Sequence, residues 1–257
     1  MSTVLDSIIE GVLEDLEARR VSEVELAEQI SAAGEVRDAY AALANPGTQI
    51  IAEVKRASPS KGPLADIADP ASLATRYESA GAAVISVLTE ARRFSGSIAD
   101  LKNVRRAISL PVLRKDFIVT EYQVRETRAI GGDLMLLIVA ALDDHQLRDY
   151  QSLARELGMN VLVEVHDQEE LERAVASSAS IIGVNARNLK TLEINDGAFA
   201  ELLPQIPEGI IKVAESGIST REQVALAEGF GAKAILVGET LVRAGDPAQA
   251  IMTLLGR

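Results

Sequence analysis

The sequence predicts an α/β fold, a TIM (β/α)8 barrel preceded by a helical extension, and three observations predict it. Eight short runs rich in Val, Ile and Leu alternate with helical stretches of about 10 to 15 residues, the pattern of βαβ units in a parallel sheet. Nearly every run is apolar through its middle and gains charged or amide groups only at its C-terminal end, which in a closed barrel is the active face. The turn after the first run reads EVKRASPSKG and has no GxGxxG, so a doubly wound dinucleotide-binding sheet is disfavoured.

The first element precedes any strand. Over residues 3 to 19, Ile8, Val12 and Leu16 share one helical stripe with Leu5, Ile9 and Leu13 beside it, and Glu10, Glu14 and Glu17 lie opposite. That is an amphipathic helix. A second helix over 22 to 33 opens with Ser22 three residues before Glu25, the spacing of a capping box. A third patch runs to Leu43, where Asn45-Pro46-Gly47 stops it. Strands are expected at 50–55, 83–89, 111–117, 134–140, 160–166, 181–187, 210–216 and 234–239. Helices are expected near 70–80, 97–108, 121–131, 143–157, 167–177, 196–203, 220–229 and 247–255. Residues 1–257 are read as one barrel domain, of which 1–49 is an extension covering the mouth of the site, because an amphipathic helix needs an apolar surface to lie on.

Composition narrows the function. The 257 residues include no Cys, so neither disulfides nor thiolate-bound zinc hold the fold. Only His145 and His166 offer imidazole, too few for most catalytic zinc sites, so no metal is expected. With 26 basic and 38 acidic residues the net charge is −12, which argues against broad binding to nucleic acid or anionic membrane. The N-terminus carries acids where a signal peptide needs basic residues, and the longest apolar run, Leu134 to Leu142, is strand-like in length. A cytoplasmic protein acting on a small molecule is expected. No dimer patch stands out, so it is read as a monomer or weak homo-oligomer.

Strand periodicity then places the chemistry. Residues two apart share a face, so Glu53 and Lys55 point together, as do Leu113 with Lys115, Leu162 with Glu164, Asn185 with Arg187, and Val213 with Glu215. If the apolar partners fill the barrel, Lys55, Lys115 and Arg187 crown it against Glu53, Glu164 and Glu215. Such a ring is costly as architecture and reasonable as a site. Plainer readings stay open for each: a strand-end ion pair for Glu53 and Lys55, a rim lysine for Lys115, helix caps for Glu164 and Glu215, and charge neutralisation for Arg187. His166 is expected to pack at a strand-to-helix turn, Asp116 to find a partner on the helix side, and His145 to lie at the surface.

Two loops point to phosphate. Glu215-Ser216-Gly217-Ile218 follows the seventh run and Val237-Gly238-Glu239-Thr240 the eighth, and both offer free backbone N–H groups where barrels commonly bind phosphate. Lys55, from the adjoining first strand, supplies a countercharge.

IAEVKRASPSKG, PVLRKDF, LVEVH, GVNARNL, VAESGI and LVGETLVRAGDP, in this order behind a helical extension, closely resemble the indole-3-glycerol phosphate synthase family along the whole chain. That family closes an indole ring on 1-(2-carboxyphenylamino)-1-deoxyribulose 5-phosphate, losing carbon dioxide and water without a cofactor. The resemblance implies that Lys115 is the general acid on the ketone oxygen and that Glu164 steadies the cation developing on the anilino nitrogen. It implies that Lys55 reaches the substrate carboxylate or phosphate with Glu53 as partner, that Asn185 and Arg187 hold the ribulose hydroxyls and Glu53, and that Glu215 and Ser216 complete the ring. Ser58, Pro59, Phe94, Phe117 and Leu189 match substrate-binding positions, with Gly217, Gly238 and Glu239 at the phosphate. For a lysine to be an acid near neutral pH, its pKa is expected to be lowered by burial and by the neighbouring Lys55 and Arg187.

The chain departs from the family pattern in three places. Asn185 is followed by Ala186 where many members have a second asparagine, Thr240 stands where serine is commoner, and the extension has no Trp, leaving aliphatic residues such as Ile8 to cover the substrate. Three other readings compete: a Schiff-base aldolase using Lys115, a phosphoribosylanthranilate isomerase without need of residues 1–49, and a non-enzymatic phosphosugar-binding barrel.

Overall fold

The computed structural model of the chain describes residues 3–189 and 191–257. Its centre is a closed barrel of eight parallel strands. They are β1 (Gln49–Val54), β2 (Val84–Leu88), β3 (Val112–Lys115), β4 (Leu134–Ile138), β5 (Asn160–Val165), β6 (Ile181–Asn185), β7 (Ile211–Glu215) and β8 (Ala234–Val237). Each pairs with the next in sequence, and β8 returns to β1 through Gln49 opposite Ala234.

Alternation along each strand separates the core into two layers. On β1, Ile50, Ala52 and Val54 pack outward under the helices, while Ile51 joins the interior; on β5, Val161, Val163 and Val165 face out and Leu162 faces in. The interior layer is filled by Ile51, Leu113, Leu134, Leu136, Leu162, Ile181, Val213 and Leu236, all buried, so the barrel is packed below its mouth. The next inward positions toward the C-terminal ends are Glu53, Lys115, Glu164 and Glu215.

The extension is divided between the two ends. Helix α1 (Val4–Arg19) turns Leu5, Ile8 and Val12 into the interior cluster from above, with Leu5 and Ile8 at the mouth. A Thr3–Asp6 capping box starts it. Helix α2 (Glu23–Ala32) lies against the helix Glu121–Ala129. There Ser22 caps Glu25 N at 3.2 Å, but the Glu25 carboxylate accepts from Gln29 instead, so only the hydroxyl half of the expected box forms. Helix α3 (Ala39–Ala44) packs on β2 and β7 and donates from Tyr40 N to Asn160 Oδ1 at the first residue of β5, closing the N-terminal end.

Boundaries shift where the chain must turn. The expected strand 134–140 ends at Ile138 and gives way to a 3-10 turn, Val139–Ala141; Phe117 falls beyond β3; and a short helix Glu239–Arg243 precedes Pro247–Leu254 where one helix was expected. A two-residue-strand hairpin, Ala57–Ser58 with Gly62–Pro63, also forms in the loop after β1.

Behind β3 sits a buried polar network. Arg114 is fully buried and donates to Asp116 at 3.1 Å, to Glu126 at 2.8 Å and to Thr127 at 3.1 Å. Arg19 at the end of α1 reaches the same Glu126 at 2.8 Å, and Tyr122 accepts from Val21 N at 2.9 Å. An arginine out of water needs such complete pairing. It ties the extension to the strand that carries Lys115.

Candidate active site

The C-terminal ends of the strands surround a cavity of about 690 Å³, and all sixteen residues singled out from the sequence line it. Glu53 and Lys55 come from the end of β1, Ser58 and Pro59 from the hairpin loop, and Phe94 and Phe117 from the loops after β2 and β3. Lys115, Glu164 and Asn185 stand at the ends of β3, β5 and β6, with Arg187 and Leu189 just beyond. Glu215, Ser216 and Gly217 follow from β7, and Gly238 and Glu239 from β8.

Lys115 Nζ is the hub. It donates to Glu164 Oε2 at 3.1 Å and lies 3.8 Å from Glu215 Oε2. Beside it Lys55 Nζ pairs with Glu53 Oε1 at 2.8 Å. The helices after β5 and β7 are capped by Asp167 and Thr220, so Glu164 and Glu215 are not caps and remain turned into the cavity. Lys115 does not snorkel from the rim, because only 15% of its side chain is exposed.

The charge balance differs from the expectation for Lys115. Burial works to lower its pKa, but Glu164, Glu215 and Glu53 together outweigh burial and hold the ammonium well above its ordinary value. The two cations invoked from sequence are engaged elsewhere: Lys55 on Glu53, and Arg187 on the Leu192 carbonyl at 2.9 Å. Among the described residues no carboxylate lies within ion-pair distance of Arg187, so the expected contact with Glu53 is not made in this structure.

The two central acids split. Burial would raise Glu164, yet Lys115 and His166 hold it well below the usual carboxylate range. Glu215 is pushed up to about 8 by burial and by the Glu164 charge, against the pull of Lys115. Its Oε1 is buried with no hydrogen-bond partner among the described residues. Two acids sharing one lysine cannot both ionise at low cost, and Glu164, which has Lys115 closer and His166 beside it, yields its proton first.

Two glycines make room for these acids. A Cβ on Gly183 would run into Glu215 Oε1, and one on Gly238 into Glu53 Oε1. Ser216 and Gly217 both take positive φ, 68° and 74°, turning the chain sharply at the end of β7. One wall is aromatic, with Phe94 and Phe117 centroids 6.2 Å apart and tilted by 40°. Phe94 is held because the buried Glu90 carboxylate accepts from the backbone N–H of Arg92, Arg93 and Phe94 at 3.0, 2.7 and 2.9 Å. Arg92 of the same loop grips Asp15 and Glu14 on α1.

Sequence reasoning missed Arg243, Lys61 and Glu90. Arg243 lines the cavity and pairs with Glu239 at 3.2 Å, an i,i+4 spacing readable in the LVGETLVRAGDP string. Lys61 sits in the loop already quoted. Glu90 had no signal, since its role is to accept from backbone. Asp116 does find its partner behind β3, in Arg114. Among the described residues no group of three or more His, Cys, Asp or Glu is arranged to hold a metal ion.

A closed (β/α)8 barrel with a buried acid–base cluster at the C-terminal ends of its strands is the frame of a barrel enzyme. The model of the indole-3-glycerol phosphate synthase family matches residues 5–254. A Micrococcus luteus indole-3-glycerol phosphate synthase is 55% identical over 97% of this chain and 96% of its own length. One from Paenarthrobacter aurescens is 56% identical over 97% and 94%. The chain belongs to the indole-3-glycerol phosphate synthase family. Among solved structures, a 3-hexulose-6-phosphate synthase superposes with a TM-score of 0.66 at 16% identity, over 81% of this chain and 99% of that one, which shows a shared barrel.

Proposed function

We infer that the chain catalyses the reaction of its family, converting 1-(2-carboxyphenylamino)-1-deoxyribulose 5-phosphate to indole-3-glycerol phosphate by ring closure, decarboxylation and dehydration. This is a carbon–carbon lyase step of tryptophan biosynthesis. The observation that supports it beyond family membership is Lys115 held as a cation between Glu164 at 3.1 Å and Glu215 at 3.8 Å, in a cavity with an aromatic wall.

Closing the ring suspends aromaticity, so the barrier falls only if the departing oxygen is protonated while an anion faces the developing iminium. Lys115 is the acid and Glu164 the anion. An ammonium with a raised pKa still protonates an alkoxide, whose conjugate acid is far weaker. The same raised pKa weighs against a Schiff-base aldolase, which needs the neutral amine. Lys55, oriented by Glu53, acts as acid of the second step; Asn185 and Arg187 hold the ribulose hydroxyls, and Glu215 and Ser216 complete the ring. Ser58, Pro59, Phe94, Phe117 and Leu189 border the anthranilate ring, and Gly217, Gly238 and Glu239 offer backbone to the phosphate.

We further propose that the protein works in the cytoplasm on this small phosphosugar, as one domain with α1 over the mouth and as a monomer or weak homo-oligomer. A net charge of −12 supports a small-molecule over a polyanionic partner. Adding the substrate to the purified chain and following indole fluorescence tests the reaction against a clean background, because the chain has no Trp. No fluorescence from the wild-type chain with authentic substrate overturns it.

A further inference from the structure

His166 follows the last residue of β5, two residues past Glu164, with only 8% of its side chain exposed, and the helix Gln168–Ala176 begins just after it. Glu170, in the first turn of that helix, reaches back. Its Oε2 accepts from His166 N at 2.8 Å and lies 2.9 Å from His166 Nδ1. The other ring nitrogen, Nε2, lies 3.3 Å from Glu164 Oε1, close enough to pair by charge although outside hydrogen-bond geometry. Lys115 holds the opposite oxygen of the same carboxylate at 3.1 Å.

Both ring nitrogens therefore face carboxylate oxygens. A neutral imidazole carries one N–H, and its bare lone pair would point at an anion; only the imidazolium offers a donor to each side. A row of alternating charge results: Glu170, His166, Glu164, Lys115. It crosses from a helix on the outside of the barrel to the centre of the cavity.

We propose that His166 is a positioning residue for the lyase reaction: fixed by Glu170, it stays an imidazolium, aims the Glu164 carboxylate and makes Glu215, not Glu164, the acid that carries the proton. The proposal rests on the reading that Glu164 faces the developing cation. The groups that bear on His166 come from each packed element: Glu164 of β5 and Glu170 of the following helix directly, and, through Glu164, Lys115 of β3 and Glu215 of β7. Burial disfavours the charged ring, but the two adjacent acids outweigh it and push His166 up to about 10.

The wild-type enzyme tests this without any variant. The chain has two histidines, and the other, His145, is exposed on a helix, so ring nitrogen signals in a 15N-histidine sample separate readily. At pH 8 His166 should still carry both ring protons while His145 is neutral. A singly protonated His166 at that pH overturns the proposal. In His166→Gln, kcat should fall about tenfold or more with KM little changed, the scale of a compromised acid–base group. The acidic limb of kcat/KM should move upward by about one pH unit as Glu164 loses its cation. Glu170→Gln should move the limb the same way by less. An unshifted limb with wild-type kcat in His166→Gln overturns the proposal. Glu164→Gln separates the two readings: full activity there removes the role given to Glu164, whereas the NMR result speaks for His166 alone.

Discussion

Gly238 leaves the space that Glu53 occupies: a Cβ on Gly238 would run into Glu53 Oε1 and stand 3.1 Å from its Cδ. The glycine expected from sequence to let backbone approach phosphate also lets a carboxylate pass beneath it. Glu53 is in turn the partner of Lys55 at 2.8 Å.

Gly238→Ala should therefore act on chemistry. Displacing Glu53 loosens Lys55, and kcat should drop about tenfold or more, in the range of acid–base catalysis. Steady-state kinetics decide it. A rise in KM with kcat untouched would assign the glycine to phosphate binding alone.

Lys115→Met should cut kcat by about 10² or more, the scale of a general acid, with a much smaller change in substrate Kd because ring and phosphate contacts persist. Lys115→Arg keeps the cation between Glu164 and Glu215 but replaces a compact ammonium by a larger planar fork whose N–H groups no longer meet the ketone oxygen, and should stay slow. An arginine variant near wild-type kcat would sink the general-acid role.

Glu215 ties stability to pH. Its pKa is raised from 4.5 to about 8 on folding, by burial first and by Glu164 second. A group raised in this way contributes stability that is complete below pH 4.5 and is lost as pH climbs through 8. Glu215→Gln does not titrate, so its Tm relative to wild type should rise between those values, by about 3 °C or more at pH 9. Calorimetry across pH 5 to about 9 reads this directly. A pH-independent difference would place the proton elsewhere in the cluster.

Helix α1 should matter to substrate rather than to the barrel. Leu5 and Ile8 line the cavity from above, while α3 closes the other end through Leu43 and Tyr40. Removing residues 1–20 takes Leu5 and Ile8 out of the cavity wall, contacts worth about 1.5–3 kcal/mol each when fully buried, so KM should rise about tenfold or more. Circular dichroism should show the barrel intact. An unchanged KM would detach α1 from the site.

Much of this molecule is legible in one dimension because strand alternation is local. Once Leu162 faces in, Glu164 must, and the same rule carries Glu53, Lys115, Asn185 and Glu215 to the mouth. Apolar runs with polar ends therefore determined the barrel and the face of the site, whereas Ser58, Pro59, Phe94, Phe117 and Leu189 were legible only through the family resemblance. Closure decided what those residues do to one another. The charge on Lys115 depends on acids from β1, β5 and β7, whose distances exist only after the sheet has joined β8 to β1. For that reason an ammonium expected to lose its proton easily is instead held charged. The rooms made by Gly183 and Gly238, the pairing of Arg114 with Glu126 and Arg19, and the clamp of Glu170 on His166 are likewise decided by tertiary structure. Sequence patterning states which way a side chain points; in a low-dielectric interior its charge state is set by whatever arrives opposite it.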